Sequence, residues 1–393
     1  MFKLPQLSRC NSGLLMLVAI LLIAANLRAP ITALPPLISL IQQDYDLSNS
    51  AAGALTALPL LAFALLSPIS AKASQQVGLE RTLLLALLGI AGGILLRSLP
   101  GSSFLFLGTS LIGMGIAAGN VLLPSLIKRD FPRHITTITG AYALTMGLTA
   151  ALGSTLVVPL ATYWGWQTAL LIFLLLPLST IVLWWPACQR PVTRAASHSA
   201  TSSPLPWRNP LAWHITLFLG LNSTIFYIAI TWLPAIFSAQ GLSASQAGSL
   251  HGVMQLATAL PGVALSPLLR RLPDQRVPAM SVALLSALSL LGWLYLPHLA
   301  ALWSVLFGIG TGAGIILGLS FIGMRTHRPE QAASLSGMSQ CIGYLLAAAG
   351  PIAIAQLHDR LQSWYWPLWI CAGLAVLAAY MGYLAGRNIK LPA

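Results

Sequence analysis

Apolar runs of about 20 residues recur along the whole chain, each long enough to cross the ~30 Å hydrocarbon core of a bilayer. Few folds are open to such a chain. Lipid offers no partner to a backbone N–H or C=O, so a spanning segment must be a helix or part of a closed barrel. The runs are continuous rather than alternating, which selects helices. Charged residues make up only 7% of the chain, against about 25% in an ordinary soluble domain, too few to cover a water-facing surface. The reading is a polytopic all-α membrane protein with twelve spans near 13–38, 50–70, 82–99, 103–126, 137–161, 166–186, 211–236, 245–268, 277–297, 300–322, 332–356 and 365–386. The first run is too long for a cleavable signal peptide.

One phrase is said twice. LSNSAAGAL at Leu47–Leu55 returns as LSASQAGSL at Leu242–Leu250, 195 residues later, opening the second and the eighth spans. Leu34–Pro35 is echoed by Leu233–Pro234, and Ser67–Pro68 by Ser266–Pro267. The serines can cap exposed N–H groups of a first helical turn, and the Ala-Gly pairs let a neighbouring helix come close. The glycines of GMGIAAGN (Gly113, Gly115, Gly119) and GIGTGAG (Gly308, Gly310, Gly312, Gly314) sit in equivalent spans 4 and 10, with no strand before them. They read as close-packing faces rather than nucleotide loops. Duplication of a six-helix unit explains all of this: a bundle at 1–188, a Ser/Thr/Pro-rich linker at 189–209 and a second bundle at 210–393.

The formal net charge of +13 is a topology signal, not a nucleic-acid signal, because the basic residues are scattered through short loops. With the N-terminus in the cytoplasm, all of the 20 Lys and Arg except Arg28, Arg97 and Arg360 fall on the cytoplasmic side, so both termini and the linker are expected there. Arg97 and Arg360 are expected on the outer side. The four cysteines have neither metal nor redox spacing.

Few strongly polar side chains lie deep in the spans: Asn26, Arg28, Asn120, Asn222, His251, Gln255 and Gln340. The reading is that spans 1, 4, 7, 8 and 11 line a water-accessible cavity. All seven acidic residues lie in loops or at helix ends, so no carboxylate is placed to carry a proton. That leaves His251 or the substrate as carrier, or transport without a proton. Two roles fit Arg28: snorkelling to the outer interface, or anchoring a carboxylate-like, nitro or linear anionic group in the cavity. His251, Gln255 and Thr258 share one helical face. So do Tyr142, Thr145 and Thr149, and Ser336, Gln340 and Tyr344. A histidine bonded between helices is as good a reading of His251 as a titrating one. Asn222 and Tyr227 are cavity candidates, and Phe226 and Trp232 could stack on a flat ligand. A membrane-embedded enzyme would need paired carboxylates, a metal cluster or a nucleophile with a base, and the spans hold no such set.

Twelve spans in two halves with a cytoplasmic linker resemble the major facilitator superfamily. Within it the chain resembles the cyanate and 2-nitroimidazole transporter family over essentially its whole length. NLRAP (Asn26–Pro30), LTALPLLAFALLSPISA (Leu55–Ala71), GNVLLPSLIKRDFP (Gly119–Pro132), TGAYALTMG (Thr139–Gly147), WLPAI, QAGSLHGVMQLATALPG and LSGMSQCIGYLLAAAGP (Leu335–Pro351) carry the resemblance. They look closer to the family's nitroimidazole exporters than to its cyanate porters.

The resemblance implies two six-helix bundles working by alternating access in the bacterial inner membrane. The implied protein is a monomer without cofactor, metal or nucleic-acid partner. Its ligand is a nitroimidazole-like compound for export or, alternatively, cyanate or another small anion for uptake, with a proton as an open partner. In the superfamily's loop between spans 2 and 3, Ala71 replaces a Gly and Gln75 an Asp, while Gly78 and Arg81 remain as gating-loop residues, so the usual charge latch is weakened. Thr109 stands near the place of an Arg common in proton antiporters, and their Gly-Pro signature is missing around Gly153.

Overall fold

A computed structural model describes residues 9–131, 133–189, 206–262, 274–327 and 329–392. Among these there is no β-strand. The helices are α1 (Arg9–Asn26), α2 (Ala29–Thr32), α3 (Ile38–Tyr45), α4 (Asn49–Val77), α5 (Leu79–Arg97), α6 (Ser102–Asp130), α7 (Ile135–Leu171), α8 (Leu175–Cys188), α9 (Pro210–Ala239), α10 (Ala244–Ala257), α11 (Arg276–Tyr295), α12 (Ala300–Met324), α13 (Pro329–Leu361) and α14 (Tyr365–Ala385).

Ten described segments are long and apolar enough to cross a membrane. One of them, Ile138–Cys188, has 51 residues, far more than a single crossing takes. The chain turns inside it at Gly165 (φ 78°, ψ 158°), a conformation that an L side chain rarely adopts. The eighth expected span starts as α10 and runs into residues 263–273, outside the described part. The second Ser-Pro and most of the linker also lie outside it. The tenfold segment pattern accounts for the multi-pass membrane architecture expected from the apolar runs.

The first span departs from the continuous helix read at 13–38. It breaks after Asn26, resumes for one turn as α2, passes through a 3₁₀ turn at Pro35–Leu37 and ends as α3. Pro30, Pro35 and Pro36 carry no N–H and interrupt the hydrogen-bond ladder. Other groups take up carbonyls along the break. Ser154 Oγ donates to the Thr32 carbonyl (2.9 Å), and Arg97 Nη1 to the Pro30 carbonyl (2.7 Å). Thr32 Oγ1 donates to the Arg28 carbonyl (3.1 Å).

The duplicated phrase has a structural meaning. Ser48 caps α4 by accepting from Ala51 N–H, and Ser243 makes a full capping box with Gln246 at the start of α10. Five residues into each phrase's helix sits a glycine pressed against the other half. A Cβ on Gly53 would stand 3.0 Å from the Pro351 carbonyl oxygen, and one on Gly248 would stand 2.9 Å from that of Ser154. Two further inter-half contacts join the same end: Asn49 Nδ2 donates to the Asp359 carboxylate, and Thr231 Oγ1 to Thr56 Oγ1 (3.0 Å). The loops after Tyr45 and before Ser102 meet here too, where Gly101 N–H donates to Tyr45 Oη. We refer to it as the far end, and to the opposite one, where Leu391 N–H donates to the Arg325 carbonyl, as the near end.

The glycines of spans 4 and 10 repeat their contacts at the same interval. Gly113 lies against the backbone of Pro59 and Gly308 against that of Met254. Gly115 lies against Ala86 and Ile90, Gly310 against Val282 and Ser286. At the near end Arg129, closing α6, pairs with Glu80 (2.6 Å), and Arg325, just after α12, donates to Gln275 (2.5 Å), again 195 residues from Glu80. Paired halves therefore share one internal plan. Among the ten described apolar segments α9 is the most enclosed, 89% buried against 28% for Ile138–Cys188. It thus sits centrally between the two sets of helices.

Gly53→Leu and Gly248→Leu are expected to force the far end apart, because the atoms they would strike are backbone and cannot swing away. Alkylation of a cysteine at Asn49 should accelerate several-fold in both variants. It should be unchanged in Gly373→Leu, whose Cβ would meet nothing within 4 Å.

Candidate functional site

The break in the first span places Arg28 between α1 and α2 with its side chain half-buried. Its guanidinium carbon lies 5.6 Å from the centroid of the Phe226 ring, a cation–π arrangement that leaves the N–H fork open to a ligand. Phe226 stands edge-on to Tyr227 (centroids 5.3 Å apart), and Phe63 edge-on to Tyr344 (5.5 Å).

Around Arg28 lies an open cavity of about 150 Å³, lined by Arg28, Ser223, Phe226, Tyr227, Gln340 and Tyr344, with Ile315, Leu319 and Gly343 as part of its apolar wall. A second lobe, reached past Gln340 and Tyr344, is lined by Phe63, Ala117, Asn120 and Val121. Asn120 and Gln340 are exposed, so this space is reached by water; Gln340 Nε2 donates to Ser336 Oγ (2.8 Å). Tyr142, Tyr227 and Tyr344 all lie within electrostatic reach of Arg28. The site thus offers one fixed cation, several phenol and amide groups, and aromatic faces. Among the described residues that line either lobe there is no carboxylate, and none forms a metal-holding cluster elsewhere. The cavity lies toward the near end of the inter-half contacts at Thr56, Gly53 and Gly248.

Seven of the expected substrate-site residues therefore gather in one region: Arg28, Asn120, Tyr142, Phe226, Tyr227, Gln340 and Tyr344. The other four do not line it. Asn26 is fully buried and donates to Thr180 Oγ1 and the Leu22 carbonyl, both at 2.8 Å. Asn222 is buried and donates to the Thr311 carbonyl (3.0 Å), in the slot left by Gly314. His251 and Gln255 are buried on α10, whose Gly252 backs onto Ala151 and Thr155 of α7. A span that close to its neighbour has no room for a cavity along that face. The wall expected from span 8 is instead supplied by span 10, through Ile315 and Leu319, and by span 2, through Phe63. Trp232 is also buried, its indole N–H donating to the Pro351 carbonyl (2.9 Å) rather than facing a ligand.

Of the gating-loop pair, Gly78 (φ 99°, ψ 150°) separates α4 from α5, and Arg81 is exposed on the first turn of α5. The charge contact present nearby is Arg129 with Glu80 and Asp130, which holds the Arg129 side chain above its ordinary pKa, chiefly through the Asp130 hydrogen bond. Sequence reasoning missed this pair because Arg129 counted only as one of many loop cations. It also missed the burial of Arg97, expected on the outer side. Arg97 is the last residue of α5 but turns inward and is 1% exposed.

The Major Facilitator Superfamily family model matches residues 16–351. The chain is 49% identical to the 2-nitroimidazole transporter of Escherichia coli (strain K12), over 97% of this chain and 98% of that protein. It is 42% identical to the uncharacterized transporter YycB of Bacillus subtilis (strain 168), over 95% and 94%. Similarity to the cyanate transport protein CynX of E. coli (strain K12) is lower, 32% over 86% and 88%. In fold, the chain is similar to a D-xylose–proton symporter, with a TM-score of 0.76 at 13% identity, covering 96% and 99% of the two chains.

The geometry separates structural amides from cavity amides. Asn222→Ala removes a buried hydrogen bond and empties the slot at Gly314, at a cost of about 1–3 kcal/mol, and should lower the melting temperature of the detergent-purified protein. Gln340→Ala removes only a water-exposed bond and should leave it within experimental scatter. Equal effects of the two in a thermal unfolding assay would refute the distinction.

Proposed function

The chain belongs to the Major Facilitator Superfamily of transporters, and from that premise we propose that it exports 2-nitroimidazole-type compounds through the cavity at Arg28. The 49% identity to a 2-nitroimidazole transporter over nearly all of both chains carries this reading. The cavity's chemistry agrees with it. A planar nitroaromatic needs a flat apolar face and a donor fork for its nitro oxygens, and Phe226, Tyr344 and Arg28 supply these around one space.

In this reading Arg28 anchors the nitro group, Phe226 and Tyr227 flank the ring, and Gln340, Tyr142 and Asn120 orient the remaining polar edge. Two six-helix halves, 1–188 and 210–393, joined by the 189–209 linker and making twelve crossings, rock about this site. The protein sits in the inner membrane as a monomer with both termini in the cytoplasm. The near end is then cytoplasmic, and the far-end contacts at Gly53, Asn49 and Gly248 close the outer path while the cavity faces inward. Gly78 and Arg81 lie at the cytoplasmic hinge between spans 2 and 3.

Uptake of cyanate is the second reading. It is favoured by Arg28 itself, a cation with no carboxylate beside it in the cavity, and by the 32% identity to CynX. Proton coupling is not built into the cavity as a carboxylate. His251 is packed away from it, so a weakly acidic substrate would carry its own proton.

Proteoliposomes loaded with 2-nitroimidazole should show counterflow. Arg28→Gln should abolish it in protein that still folds, and Phe226→Ala should raise the half-saturating concentration several-fold, the value of one aromatic contact. Cyanate movement with no 2-nitroimidazole counterflow would replace the first reading by the second. His251→Asn should keep the parent's response to a pH gradient; a flattened response would return His251 to the transport path.

A further inference from the structure

We propose that Arg97 forms a second anion-binding site, on the far side of Tyr227 from the Arg28 cavity, which accepts a compact oxyanion or nitro group. The site is a narrow chamber lined by Pro30, Thr56, Arg97, Thr109, Tyr227 and Thr231, with an apolar remainder that includes Leu34, Pro59 and Ile230. It draws on both halves, and Tyr227 lines it as well as the central cavity.

The Arg97 guanidinium is what marks the chamber as a binding site. It is 1% exposed and makes a single hydrogen bond, from Nη1 to the Pro30 carbonyl. Its Nε and Nη2 have no partner, and Thr109 Oγ1 in the same chamber has none either. No carboxylate lines the chamber. A buried cation left with two free N–H directions is costly unless something answers it, and a protein group does not. The planar fork suits a carboxylate-like, nitro or linear anionic acceptor. The free space is small, so in this closed arrangement the chamber admits the end of a ligand or a triatomic anion, not a whole ring.

Its position gives it a role. The chamber lies behind the Thr56–Thr231 contact that holds the two halves together. Separation of that contact would open it outward, as the Arg28 cavity closes. Arg28 and Arg97 would then hold the same anionic end in turn, with Tyr227 between them. This sequence of events rests on the central cavity being the transport site; binding at Arg97 does not.

Equilibrium dialysis of radiolabelled cyanate against the purified full-length protein, at fixed ionic strength in gluconate, tests it. The parent should hold two cyanates per chain, Arg97→Gln one, Arg28→Gln one, and the double variant none. Thr109→Val should weaken one of the two sites at least three-fold and leave the other unchanged. Arg97→Lys keeps the charge and should retain two. If Arg97→Gln does not elute as a folded, monodisperse species, Thr109→Val and Arg97→Lys carry the test. A parent that holds one cyanate or none overturns the proposal, as do Arg97→Gln and Thr109→Val with two sites of parental affinity. Two sites in Arg28→Gln with one in Arg97→Gln would sink the central anchor and leave the Arg97 site standing.

Discussion

Close approach of bare backbone holds this protein together. In lipid, helices gain little from burying apolar surface against one another, because the tails are as apolar as leucine; they gain from contact distance and from hydrogen bonds. The glycines supply that distance. Gly113 and Gly308 admit the backbones of spans 2 and 8, and Gly115 and Gly310 those of spans 3 and 9, so each half is built on the same two slots. Gly53 and Gly248 do the same between the halves. A contact made only of backbone and small side chains has no interdigitated side chains to disengage. It can part and re-form as a unit, which an alternating-access transporter requires at each end of its cavity.

The site follows from a place where that regular packing fails. Prolines 30, 35 and 36 stop the first span from being a single helix, and the freed backbone is taken up by Ser154, Thr32 and Arg97 rather than left bare. Irregular backbone at membrane depth is tolerated only where protein or water satisfies it. The same break presents Arg28 to the cavity in a fixed direction, braced against the Phe226 face. A cation anchored on a broken helix, rather than on a straight one, moves with either flank.

Polarity deep in the spans turns out to serve two purposes. Asn26, Asn222 and Thr216 spend their hydrogen bonds on neighbouring helices, the last with Ser339 at 2.9 Å. Asn120 and Gln340 keep theirs toward water. Both kinds look alike in a one-dimensional reading, since each is a lone amide in an apolar run. Only the identity of the facing helix separates them. Gly314 leaves a slot that Asn222 fills, whereas Asn120 lines an open lobe.

The sequence by itself determined the class of fold, because lipid leaves so few ways to satisfy a backbone. It determined the internal duplication through the two LS-x-S phrases and the paired glycine runs, and it singled out Arg28, because an arginine so deep in an apolar span stands out against everything around it. Tertiary structure decided the rest. The prolines after Arg28 were legible, but that they break the span at that point depends on partners from spans 3 and 5. His251, Gln255 and Asn222 share helix faces with good cavity candidates and are nevertheless sealed by tight packing. Arg97 reads as a cation at the outer end of its span and is buried beneath the far-end contacts. Helical periodicity reports which residues share a face; it carries no record of what that face meets, and burial, partner and access are all properties of the meeting.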